Sequence, residues 1–114
     1  IADIENMLPG DLEELIVCSK YLIIGSPTIN QNTLLPIYRL FSLINPVRDR
    51  GKKAAVFGSY GWSGEAVKII ESNLQNLKLN VITEGITCKF LPDDTKYAEL
   101  VEYGRNFARQ AEGR

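Results

Sequence analysis

Apolar positions in this chain form two kinds of run. Tyr21-Leu22-Ile23-Ile24 and Ala54-Ala55-Val56-Phe57 are unbroken, as expected of parallel strands covered on both faces. Leu34, Ile37, Leu40, Phe41 and Ile44 recur instead with the spacing of a helix face, with Pro36 tolerated in the first turn and Pro46 as the stop. Ala66, Val67, Ile70, Leu74 and Leu77 make a second such face. Upstream, Ile1, Ile4, Met7 and Leu8 are helix-spaced, and Pro9-Gly10 reads as the end of that run. Asp11-Leu12-Glu13-Glu14 reads as a capping box, Asp11 at the N-cap and Glu14 three residues on, opening a short helix over 12–19. Val81-Ile82-Thr83 begins a further strand, Glu84-Gly85 interrupts it, and Ile86, Cys88 and Phe90 alternate with Thr87 and Lys89. Pro92-Asp93-Asp94 turns the chain and caps a last helix over 95–111, with Tyr97, Leu100, Val101, Gly104, Ala108 and Ala111 as its inner face.

Strands alternating with helices in this order predict right-handed crossovers and a parallel sheet with helices on both faces, in one domain over 1–114. In such sheets ligands bind beyond the C-terminal ends of the strands. Two loops stand there. Gly25-Ser26-Pro27-Thr28-Ile29-Asn30 follows the first strand, and Gly58-Ser59-Tyr60-Gly61-Trp62-Ser63-Gly64 follows Lys53–Phe57. Together they offer backbone N–H groups, the hydroxyls of Ser26, Thr28, Ser59, Tyr60 and Ser63, the Asn30 amide and two aromatic rings. Neither loop holds an acid, a base or a thiol. That donor set suits holding a polar, ring-containing cofactor rather than acid–base catalysis, although glycine and serine also serve simple turns at such positions.

Composition narrows the chemistry. The chain has no histidine, which removes Ser-His-Asp and Cys-His catalysis and His metal ligation. Two cysteines, Cys18 and Cys88, read as buried apolar residues and do not make a zinc site. Arg48-Asp49-Arg50-Gly51-Lys52-Lys53 reads as a solvated connector, and Asp93-Asp94 as a helix cap rather than a metal site. A net charge of -1 argues against general binding to nucleic acid or an anionic membrane. No apolar run approaches the roughly 18 residues of a membrane span. With no signal-peptide pattern visible, the expected location is cytoplasmic.

The two loops, Ile23-Ile24-Gly25-Ser26-Pro27-Thr28-Ile29-Asn30 and Ala55-Val56-Phe57-Gly58-Ser59-Tyr60-Gly61-Trp62-Ser63-Gly64, resemble those of the flavodoxin-like domain of flavodiiron proteins (A-type flavoproteins). The Glu84-Gly85 interruption and Tyr103-Gly104-Arg105 are similar too, so the resemblance covers essentially the whole chain. It implies a doubly wound sheet in order 2-1-3-4-5 that binds FMN. Ser26, Pro27, Thr28, Ile29 and Asn30 would line one side of the isoalloxazine, and Gly58, Ser59, Tyr60, Gly61, Trp62 and Gly64 the other. In the family this domain follows a metallo-β-lactamase-like domain whose diiron centre takes electrons from FMN and reduces O₂ or NO. Rubredoxin is a common donor there, and head-to-tail homodimers are usual.

Measured against that family, Ile1 falls after the first strand, the phosphate-binding loop, the first helix and the second strand. The expected architecture is therefore strands 3-4-5 alone, with Tyr21–Ile24 as an open edge and no phosphate cradle for FMN. Two other readings stand beside this one. The chain could be a remnant that binds no flavin, or part of a free-standing flavodoxin or flavin-dependent quinone reductase. A receiver domain fits poorly, because Asp11, Asp49, Asp93 and Asp94 do not fall at strand C-termini.

Overall fold

In a computed structural model, which describes residues 1–113, two parallel strands form the centre. These are β1 (Tyr21–Pro27) and β2 (Lys53–Tyr60), paired from Tyr21↔Lys53 to Pro27↔Ser59. The far side of β2 pairs in parallel with two short strands, β3 (Asn80–Val81) and β4 (Ile86–Lys89). Four helices connect or flank them: α1 (Pro9–Cys18), α2 (Leu35–Leu43), α3 (Glu65–Asn76) and α4 (Asp94–Ala111). The expected parallel α/β sheet is present, with the strand break at Glu84-Gly85. Among the described residues β1 pairs with β2 alone and forms one edge. Arg114, the last residue of the expected domain, lies outside the described residues.

The break in the outer strand has a backbone consequence. Ile82 N–H still bonds Ala54 O, and β4 resumes pairing at Phe57. Val56 O falls in the gap between them. The Tyr103 hydroxyl of α4 donates to it at 3.2 Å, which meets the requirement that a buried carbonyl be paired. Burial pushes the Tyr103 phenol above its ordinary pKa of 10.0. Gly85 is needed in the gap, because a Cβ there would lie 2.2 Å from Val67 Cγ1.

The two sheet faces are covered unequally. Ile24, Ala54 and Val56 pack under α1, α2 and α3 in the main core, with Ile16, Ile37, Ile70 and Leu74. The opposite face carries Tyr21, Ile23, Ala55 and Phe57. It meets α4 through Phe107 and Ala111 on Ala55, and an edge-to-face contact of Tyr21 with Phe107. Lys53 Nζ donates to Ala111 O at 2.7 Å, a cation on the negative end of α4.

Several sequence expectations are corrected. Helix α1 starts at Pro9 with Leu8 as N-cap; Asp11 lies in its first turn, because Pro is well suited to the opening helical position. Cys18 is exposed, whereas Cys88 is buried as expected. Helix α4 has the expected Asp93 cap, through Lys96 N–H at 2.7 Å. Its inner face differs: Tyr97, Val101 and Ala108 are exposed, and Phe107 is buried with Ala111. The helix meets the sheet along a narrow line, so a broad apolar stripe overstates its contact.

The connector 48–53 is not simply solvated. Asp49 is completely buried. Its carboxylate meets Arg48 at 2.7 Å, Lys52 at 3.1 Å and Asn45 N–H at 2.9 Å. Arg48 also reaches Glu13 of α1 and Leu43 O at the end of α2, and Lys52 Nζ donates to Ile16 O. One carboxylate thus joins α1, α2 and the start of β2. Burial by itself would raise its pKa; hydrogen bonds from Arg48, Asn45 N–H and Lys52 outweigh that and hold it at about 2.

Candidate functional site

Beyond the C-terminal ends of β1, β2 and β4, three chain segments converge. The strands reach further than their apolar runs, because Gly25-Ser26-Pro27 still pair with Phe57-Gly58-Ser59 and Tyr60 still pairs with Lys89 of β4. The loops proper are therefore 28–34 and 61–64, with 90–93 as the third. Gly58 is required where the strands meet, since a Cβ there would lie 2.8 Å from both Ser26 O and Val67 Cγ2.

Two hydrogen bonds tie the first loop to the elements on either side of the second, β2 and α3. Thr28 N–H donates to Ser59 O at 2.9 Å. Thr28 Oγ1 accepts from Ala66 N–H at 3.0 Å. Gly64, the N-cap of α3, has no side chain to offer, so Thr28 supplies that cap from the neighbouring loop. The tip of the first loop is a tight reversal. Ile29 and Asn32 exchange both backbone hydrogen bonds, and Asn30 and Gln31 have φ of 53° and 58°, the signature of a type I′ turn. Asn32 Oδ1 accepts from Thr33 N–H and the Tyr38 hydroxyl, which fixes the turn to α2.

The expected site residues fall into two groups. Pro27, Ile29, Asn30 and Trp62 are exposed, Trp62 at 95%. Thr28, Ser59, Tyr60, Gly61 and Gly64 are half-buried. Ser26 and Gly58 are buried. The Ser26 hydroxyl is occupied internally, donating to Pro27 O at 2.8 Å and accepting from Leu34 N–H at 3.4 Å. Thr28 spends its hydroxyl on the α3 cap. Backbone and aromatic groups, more than these hydroxyls, therefore face the open side.

Sequence reasoning missed the third segment. Phe90 was read as a strand residue in alternation with Thr87 and Lys89. It is instead 67% exposed, with φ of 57°, an uncommon conformation for an aromatic residue. Its ring lies against Gly61, where a Cβ would come within 2.9 Å. Phe90 N–H donates to Tyr60 O at 2.7 Å, so β4 carries this aromatic to the second loop. The signal available in sequence was Pro92 two residues on, which marks a turn. A cavity of about 300 Å³ lies below, lined by Pro27, Phe57, Ser59, Cys88, Phe90 and Leu100 among others. Residues 25–33 and 58–64 contain no charged side chain; Glu65 follows at the start of α3 with a buried Oε2 that has no hydrogen-bond partner. Among the described residues, no cluster of His, Cys, Asp and Glu could hold a metal, and no helix is long and apolar enough to cross a membrane.

The flavodoxin family model matches residues 1–104. The flavo-diiron protein FprA2 of Clostridium acetobutylicum is 41% identical over 108 residues, which is 94% of this chain and 27% of that protein. The chain thus spans about a quarter of the length of this curated relative. A metal-soaked flavodiiron core from Synechocystis superposes with a TM-score of 0.87 at 28% identity, over 97% of this chain and 28% of that one. An archaeal flavodoxin superposes at 0.74 and 26% identity, over 96% of this chain and 74% of the flavodoxin. The chain belongs to the flavodoxin family and matches it in the form that flavodiiron proteins carry.

Proposed function

We propose that this chain grips the isoalloxazine ring of FMN between the 28–34 and 61–64 loops, as the electron-transfer domain of a flavodiiron oxidoreductase. One observation carries the reading. Thr28 joins the first loop to β2 at Ser59 and to α3 at Ala66, the two elements that flank the second loop; both loops are uncharged, and Asn30 of the first and Trp62 of the second are exposed, Trp62 at 95%. A tryptophan exposed to that degree contributes nothing to the core and has its full ring free for stacking. The donor set fits the ring. For the phosphate, neither loop supplies a Lys or Arg, so it would have to be held by neutral donors such as backbone N–H groups.

When bound, FMN would supply the electron chemistry; the protein's part is to hold, orient and shield it. Trp62 and Tyr60 would cover the ring, Gly61 N–H and the Asn30 amide would meet its polar edge, and the absence of carboxylates would leave a negative charge on it unopposed. By the same resemblance, the electrons would pass to a diiron centre in a metallo-β-lactamase-like domain that reduces O₂ or NO. A rubredoxin-type donor, a homodimer and a cytoplasmic location belong to this proposal as well.

Titrating FMN with the chain tests it. Quenched flavin fluorescence and a shifted absorption band are expected, with the quenching weakened in Trp62→Ala. Undiminished free-flavin fluorescence at a large protein excess would overturn it, and would leave the reading of a remnant that binds no flavin.

A further inference from the structure

The turn that carries Trp62 has no polar hold of its own. Among the described residues, Gly61, Trp62 and Ser63 make no hydrogen bond. Rings brace the turn instead, one at each end. A Cβ on Gly64 would lie 3.3 Å from the Tyr60 ring, and one on Gly61 would lie 2.9 Å from the Phe90 ring. Tyr60 belongs to the strand that enters the turn, whereas Phe90 arrives from the end of β4. Phe90 also stands in an uncommon backbone state. The other non-glycine residues of positive φ, Asn30, Gln31 and Lys78, are polar; Phe90 is aromatic, has φ of 57° and is 67% exposed. Core burial therefore does not account for a conformation that persists only where its surroundings over-determine it. Three contacts do so: Phe90 N–H on Tyr60 O at 2.7 Å, the ring on Gly61, and Lys89 Nζ 6.0 Å from the ring centroid.

We infer that Phe90 is a positioning residue for the ligand-facing rim formed by the two loops. Its ring fills the space that a side chain on Gly61 would take, and so holds the 61–63 turn in the conformation that stands Trp62 clear for a planar ligand. The inference rests on the reading of this rim as a flavin clamp, and adds the residue that orders it in advance. A turn bounded by Gly61 and Gly64 with no hydrogen bond has wide backbone freedom, and ordering it at the moment of binding would cost affinity. A ring fixed by the neighbouring strand removes that cost. Because the hold is steric, Gly61 N–H is left free to meet a ligand.

Trp62 is the only tryptophan of the chain, so time-resolved fluorescence anisotropy of the full chain reads the turn directly and without flavin. Phe90→Gly tolerates the positive φ and removes the ring; the amplitude of nanosecond indole motion should rise about twofold. Phe90→Tyr keeps the ring and should match the wild type. Leu91→Ser, at a neighbour 88% exposed, should match it too. FMN affinity should fall about tenfold in Phe90→Gly and return in Phe90→Tyr. Phe90→Leu, which keeps apolar bulk without a flat ring, carries the same comparison if Phe90→Gly does not fold. Unchanged indole motion on loss of the ring would overturn the inference, and a lowered urea midpoint alongside it would make Phe90 a packing residue only. A looser indole with FMN affinity intact would overturn it as well. If the wild type leaves flavin fluorescence undiminished, the flavin reading falls, and the anisotropy comparison still decides the role of Phe90.

Discussion

At their N-terminal end, β1 and β2 are anchored by a buried carboxylate with two cations on it; at their C-terminal end, the same strands run into loops without a charged side chain. Asp49 sits where nothing needs to enter, and every oxygen it has is used. At the other end the locking is neutral: Thr28 on Ser59 O and Ala66 N–H, and Phe90 on Tyr60 O. A fixed buried charge stabilises only with its partners in place, and it would set a strong local field on anything bound nearby. Neutral backbone bonds hold loops just as firmly in position and leave the electrostatics to the ligand. One end of the sheet is therefore specialised for stability and the other for binding.

Removing the anchor should have the largest effect. Asp49→Ala leaves Arg48 and Lys52 facing a void and is expected to cost about 3 kcal/mol in urea unfolding. The same carboxylate sets an acid limit. Its pKa is held at about 2 against an ordinary 3.8, so its contribution of about 2 kcal/mol is complete above about pH 4 and is lost as pH falls toward 2. A stability profile in which wild type and Asp49→Ala lose stability in parallel over that window would contradict this account.

Next comes the junction of strands and loops. Gly58→Ala places a methyl against Ser26 O and Val67, and the backbone oxygen cannot move aside. About 2 kcal/mol of destabilisation is expected, with FMN binding weakened because the rim shifts. Thr28→Val keeps the shape and removes the cap on α3. It should cost about 1 kcal/mol and speed amide exchange at Ala66; unchanged exchange there would show that the loops are not coupled through this bond. Trp62→Ala sharpens the contrast most. Its stability effect should stay within about 0.5 kcal/mol, yet FMN affinity should fall about tenfold. A large stability loss would make Trp62 a packing residue after all.

Much of this was legible in the chain. The unbroken apolar runs, the helix-spaced faces and the glycine-rich stretches at Gly25 and Gly58 placed β1, β2, α2, α3 and both loops, because period and turn chemistry are local properties. The open edge at Tyr21–Ile24 was expected from the resemblance, and among the described residues β1 pairs with β2 alone. Asp49 was misread because a lone acid among basic residues looks solvated; its burial depends on α1 and α2 closing over it, which no local pattern records. Phe90 was misread because alternation cannot announce that a strand stops one residue early with φ positive.

Sequence by itself determined the order of elements, the parallel class and the uncharged character of the two loops, since these depend on neighbours along the chain. Tertiary structure decided that Thr28 of one loop caps the helix of the next, that Ser26 turns its hydroxyl inward while Trp62 stands free, and that Phe90 closes over Gly61. The Thr28–Ala66 bond and the Phe90–Gly61 contact join residues about 30 or more positions apart, and the burial of Ser26 and exposure of Trp62 depend on how strands and loops stack. Such pairings arise only when the sheet forms and loop-closure entropy has been overcome.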